Sequence, residues 1–181
     1  MITVWDYLGH TGYSDNVYNA FEKLNLPQFE IDHVVRSLDM FDLVINSRAK
    51  SRFGCVKYLN HTMELTSEYF VDSCLLKVHP ERSDHHKDTL LHEAAHIITR
   101  AIWGKDVSSH GKEWKSIMLA LGITPARCGS GDFLKKEKKS PKHLYTCRKC
   151  SFTLNKNRKL KNMHRRSHIA CGGYFDHVEL R

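Results

Sequence analysis

The chain has 181 residues, 41% hydrophobic and 27% charged, with a formal net charge of +8. That is enough for one domain of ordinary size with a buried core and a small appendage. No apolar run approaches the roughly 20 residues needed to cross a bilayer, so a membrane partner is not expected. The opening Met-Ile-Thr-Val-Trp-Asp-Tyr lacks the basic start and apolar stretch of a secretory signal, so an intracellular monomer, cytoplasmic or nuclear, is expected.

In chain order, residues 15–25 read as a helix with Val17, Phe21 and Leu24 on one stripe, ended by Pro27. Ile31, Val34, Val35 and Leu38 mark a second helix. The pattern turns strand-like from Phe41 to Ile45, and two further short strands are expected at 52–58 and 63–66. A small antiparallel sheet fits these lengths. The clearest helix starts near Asp84 or Asp88, either of which can cap it, and runs to Trp103, where Gly104 stops it. Leu91, Ala95, Ile98 and Ile102 give it a core face. Ser108 or Ser109 can cap a following helix whose stripe is Trp114, Ile117, Met118 and Leu121.

Residues 129–142 have linker composition and separate a first domain, 1–128, from a C-terminal segment, 143–181; residues 1–35 read as a helical N-terminal extension. Charge divides in the same way. Residues 1–126 carry 13 Lys and Arg against 16 Asp and Glu, whereas residues 127–181 carry 15 against 4. A basic tail on a mildly acidic body suits a polyanion, nucleic acid first among them; a solvated surface that aids solubility is the plainer alternative. Of six cysteines, Cys55, Cys74 and Cys128 are scattered and read as small buried apolar residues. Cys147, Cys150 and Cys171 share one histidine-rich segment and read as metal ligands.

Two constellations carry chemistry. The first is H-E-x-x-H at His92-Glu93-Ala94-Ala95-His96. Four residues of α-helix advance about 400°, so His92 and His96 project from one face, one turn apart, and can share a Zn²⁺. Glu93 beside them can take a proton from water and return it to a leaving amine. A catalytic zinc needs a third protein ligand, and His110 at the next helix start supplies a candidate. Ile102 stands where a metzincin would place its last histidine, which excludes that class. The plain alternative is a helix with two exposed histidines.

The second constellation admits two pairings. Cys147, Cys150, His168 and Cys171 form C-x-x-C, 17 residues, then H-x-x-C, as in a zinc ribbon; Cys147, Cys150, His164 and His168 have the spacing of a two-Cys two-His finger. The ribbon is favoured because thiolates suit zinc and Cys171-Gly172-Gly173 makes a tight knuckle. A basic segment this short and this poor in large apolar residues needs such a staple to fold. Lys156, Arg158, Lys159, Lys161, Arg165 and Arg166 lie in or beside it and would present positive charge to phosphates, largely independent of sequence. Tyr145, Phe152 and Tyr174 can stack on bases or pack in the segment's own core.

His92-Glu93-x-x-His96 followed by His110-Gly111-x-x-Trp114 resembles the SprT-like metallopeptidases, which include the Spartan-type proteases of DNA–protein crosslink repair. Asn46 to Gly54 and Met63 to Thr66 are similar to that family's two strands before the zinc helix, and the likeness spans about residues 40–175. It implies an α+β fold with a small antiparallel sheet on helices bearing the H-E-x-x-H site and a small zinc-ribbon-like segment behind it. It also implies His92, His96 and His110 as ligands of a catalytic zinc, Glu93 as general base, a second structural zinc, DNA as partner, single-stranded or duplex, and DNA-bound or crosslinked proteins as substrates. The rival from another class is a non-catalytic DNA-binding or transcription-associated zinc protein. A third is a metallopeptidase with a narrow protein target and no DNA role.

Overall fold

A computed structural model describes residues 2–49, 52–126 and 140–180. Cys128 and most of the expected linker lie outside them. The chain divides into two compact units, Met1–Lys135 and Lys136–Arg181. The fold is α+β.

In the first unit, α1 (Val4–His10), α2 (Ser14–Lys23) and α3 (Gln28–Asp39) lead into β1 (Asp42–Asn46), β2 (Gly54–Lys57) and β3 (Thr62–Thr66). The long α4 (Ser83–Trp103) and shorter α5 (Lys112–Ala120) follow. Sheet order is β1-β3-β2. β2 runs antiparallel to β3 as expected, but β1 joins β3 in parallel, Leu43 beside Met63 and Ile45 beside Leu65. The expected antiparallel sheet is therefore a mixed one. Alternation decides which face is wet: Met63 and Leu65 are fully buried, whereas Glu64 turns outward and binds Asn46, Arg52 and Lys57.

The helical first 35 residues share the core of the first unit. Val4, Tyr7, Leu8, Val17, Ala20 and Phe21 are buried in the same core as Leu90, Leu91, Trp114 and Ile117. Thr3 caps α1 by accepting from the Asp6 amide at 3.1 Å and donates to Asp39 at 3.0 Å, so one side chain ties α1 to the end of α3.

The expected helix caps are corrected. α4 has no side-chain cap: a 3-10 turn, Pro80–Arg82, runs straight into it, and the Pro80 carbonyl takes the Ser83 amide. Asp84 sits in its first turn, where its charge complements the helix dipole. α5 begins at Lys112 after Gly111, again uncapped by Ser108 or Ser109. Gly104 ends α4 at φ +81°, a conformation that suits glycine.

The second unit is a three-stranded antiparallel sheet, β4 (His143–Cys147), β5 (Thr153–Lys156) and β6 (Phe175–Glu179), in order β5-β4-β6. Central β4 alternates, with His143, Tyr145 and Cys147 inward. Its core is small: Tyr145, Cys147 and Phe175, with Leu154, Leu160, Met163 and Cys171 against them.

Candidate metal centres

Side chains of α4 at three- and four-residue spacing share a face, and this helix is buried along most of its length. His92 and His96 point from one turn towards the loop before α5, which carries His110. One nitrogen from each of the three imidazoles lies within 4.8 Å of the others, a spread that an ion binding at about 2.0–2.1 Å can draw together. Ring centroids are 5.1 Å apart for His92 and His96, 5.6 Å for His92 and His110, and 4.8 Å for His96 and His110.

Trp114, one turn into α5 and 1% exposed, forms the floor. Its ring is 4.7–5.5 Å from all three imidazoles and stacks on His96 at 22°. This wall makes imidazolium costly. Burial pushes His92 down to about 4, helped by His110, and burial with both neighbours pushes His96 down to about 3. Neutral imidazoles with free lone pairs are what a divalent ion needs. The donor set therefore fits zinc: three nitrogens, a dry wall, and no fourth protein ligand in the cluster among the described residues.

Glu93, 7% exposed, leaves α4 beside these histidines and meets β2. Gly54 makes this possible. A Cβ there would lie 2.7 Å from the Glu93 Cγ and 2.8 Å from Oε1, so no side chain fits. Burial raises the Glu93 carboxyl to about 7, against the pull of Arg52 and a backbone hydrogen bond from Val56. A carboxyl balanced near neutrality can hold or release a proton at little cost. Tyr58, just beyond β2, donates to the His96 carbonyl at 2.9 Å, so the strand side also braces the ligand-bearing turn.

Sequence reasoning passed over Gly54, Tyr58 and the packing role of Trp114. Gly54 carried a usable signal, since glycine at a strand marks close backbone approach. Tyr58 carried none that separates it from ordinary core aromatics, and Trp114, though part of the His110-Gly111-x-x-Trp114 motif, carried none for its contact with the imidazoles.

The second cluster joins Cys147, Cys150, His168 and Cys171. Sγ of Cys171 lies 3.4 Å from that of Cys147 and 3.3 Å from that of Cys150; His168 Nδ1 is 3.1 Å from Cys150 Sγ and 3.3 Å from Cys171 Sγ. His164 is not in the group and stands exposed in a 3-10 turn, Met163–Arg165. Two tight turns shape the site. Ser151 returns its amide to the Cys147 carbonyl, and Gly172 at φ +72° returns its amide to the His168 carbonyl. Four potential ligands are the number that a closed tetrahedral metal site takes.

Lys156, Arg158, Lys159, Lys161, Arg165 and Arg166 are all exposed, and none forms an ion pair among the described residues. Tyr145 is buried and accepts from the Leu160 amide at 2.8 Å. Phe152 and Tyr174 are about half exposed, and Phe152 stacks on His168 at 10°.

Two imidazoles and a buried carboxyl from α4, with a third imidazole from the loop before α5, form a cluster that could hold a metal ion. The model of the SprT-like family matches residues 17–130, and the chain belongs to that family. It is 32% identical over 83 residues to Protein SprT of Pseudomonas paraeruginosa strain PA7, covering 42% of this chain and 49% of that protein. It is 33% identical over 79 residues to Protein SprT of Pseudomonas fluorescens strain SBW25, covering 40% and 47%. The chain thus spans about half the length of these relatives. No described helix is long and apolar enough to cross a membrane.

Proposed function

We propose that this chain is a zinc-dependent endopeptidase that cleaves proteins bound or crosslinked to DNA. His92, His96 and His110 would hold the catalytic zinc, and Cys147, Cys150, His168 and Cys171 a structural one. The observation that carries the reading is Glu93: a buried carboxyl, pressed on Gly54 and poised near neutrality, next to three convergent imidazoles. A bound zinc supplies Lewis acidity, lowering the pKa of water and polarising a carbonyl. Glu93 then takes the proton of the attacking water on its carboxylate and delivers it to the departing amide nitrogen. Trp114 holds the imidazoles and keeps bulk water from their far side. Lys156, Arg158, Lys159, Lys161, Arg165 and Arg166 would meet phosphates without reading bases, which suits a substrate defined by its attachment to DNA.

The test uses the zinc-loaded chain and a DNA-bound protein substrate. Glu93→Gln should retain both zincs and lose cleavage by at least about 10²-fold. Chelation should abolish the parent's activity, and DNA should stimulate it. A Gln variant as fast as the parent refutes the assigned role. DNA binding without cleavage by either protein supports the non-catalytic alternative; cleavage indifferent to DNA leaves a peptidase with a narrower protein target.

A further inference from the structure

α3, the β2–β3 turn and the last turns of α4 enclose an open cavity of about 250 Å³. Its walls carry His33 and Ser37 from α3, Phe41, Tyr58, His61 from the turn, and Arg100 from α4; none of the nine lining residues is acidic. Two acids of α3 are engaged elsewhere, Asp32 by Gln28 at 2.8 Å and Asp39 by Thr3 at 3.0 Å, while the buried Glu93 carboxyl acts on Tyr58 from within α4.

Arg100 sets the chemistry. Its guanidinium carbon lies 4.1 Å from the centroid of the Tyr58 ring, so the cation rests on an aromatic face. Among the described residues it makes no ion pair. A guanidinium fixed in plane with unspent N–H donors recognises an oxyanion two-pronged, a geometry a loose lysine does not offer. His33 and His61 add two further nitrogens at the same opening, and the Ser37 hydroxyl, which donates to the His33 carbonyl at 2.9 Å, marks the wall between them. An acceptor-only oxyanion matches these donors, and a phosphate offers more oxygens to them than a carboxylate does.

We propose that this cavity binds a phosphate group, as free phosphate or as a phosphodiester of a nucleic acid chain. The occupant would be felt at the metal centre, because Tyr58, on which Arg100 lies, donates to the carbonyl of His96. This inference does not depend on peptidase activity.

The test follows the imidazole C2 proton signals of His33 and His61 by NMR in the full zinc-loaded chain, assigned with His33→Gln and His61→Asn. Asn suits the left-handed backbone at His61, φ +46°. Inorganic phosphate, a short single-stranded oligonucleotide, and acetate are titrated separately at constant pH and ionic strength. Both signals should shift saturably with phosphate or oligonucleotide. Arg100→Gln should weaken the effect about tenfold, and Arg100→Lys should fall between. A response to both anions identifies free phosphate as sufficient, and a response to the oligonucleotide alone identifies the polymer. The proposal is overturned if neither moves these signals, if acetate moves them equally, or if Arg100→Gln responds like the parent. Arg100 is exposed, so its replacement leaves the core intact.

Discussion

The two metal clusters are built by opposite routes. Among the described residues the first unit has 25 buried apolar residues in one cluster, and His92 and His96 project from a helix packed into that core. Among the described residues of the second unit only Tyr145, Cys147 and Phe175 are buried apolar residues, and Cys147 itself belongs to the cysteine–histidine cluster. The first site is an ornament on a stable scaffold; the second is the scaffold. The number of potential ligands differs in the same sense: three in the first group, four in the second.

The largest expected effect separates them directly. A strong chelator should unfold the second unit and leave the first folded, since structural zinc contributes on the order of 10–16 kcal/mol in modules of this size. Cys150→Ser should do the same without a chelator, whereas His92→Ala should keep both units folded. Dispersed amide signals of residues 143–180, followed by NMR through a chelator titration, check this. If those signals persist after zinc is lost, the small core is self-sufficient and the contrast fails.

Two glycines sharpen the comparison on a finer scale. A Cβ at Gly54 would meet Glu93, and one at Gly173 would lie 2.7 Å from Cys147 Sγ and 2.6 Å from the Lys149 Cβ. Each position is closed by proximity alone. Gly54→Ala should displace the carboxyl and slow turnover by about 10²-fold with zinc content unchanged. Gly173→Ala should weaken the second zinc about 10- to 100-fold and leave cleavage of a DNA-free substrate untouched. Zinc stoichiometry and turnover measured on both variants decide it; loss of zinc from the first site in Gly54→Ala would show that Glu93 and the ligands move as one body.

Much of this arrangement was legible beforehand, for reasons particular residues make plain. Helix spacing places His92 and His96 together whatever surrounds them, and the helices at 15–25 and 31–38 announce themselves by apolar stripes. The parallel pairing of β1 did not, because alternation reports which face is buried and not which neighbour a strand takes. α1 is too short to show a period, and its burial depends on α2, α3 and β1 packed against it. The caps misled because Asp84, Asp88, Ser108 and Ser109 are good cap residues in isolation, while a preceding turn took the job at α4. Gly111 took it at α5. His168 over His164 depends on a fold of the intervening loop that spacing leaves open.

The smallest effect concerns acid. His86, 1% exposed, sits edge-on to Tyr7, Tyr69 and Phe70, with Nε2 3.1 Å from the Tyr7 hydroxyl, which itself donates to the Leu75 carbonyl. The second ring nitrogen has no hydrogen-bond partner among the described residues. Burial lowers this imidazole from 6.5 to about 4, so the folded unit holds it neutral while the unfolded chain protonates it below 6.5. The stability it preserves is whole above pH 6.5 and drains as pH falls towards 4, at up to about 1.4 kcal/mol per pH unit and ~3 kcal/mol in all. His86→Gln can still donate to Tyr7 but cannot titrate. Its urea midpoint for the first unit should therefore fall less than the parent's between pH 6.5 and 4. Parallel falls would instead place the acid sensitivity of that unit on its metal ligands, making the first site less separable from its scaffold than the contrast with the second requires.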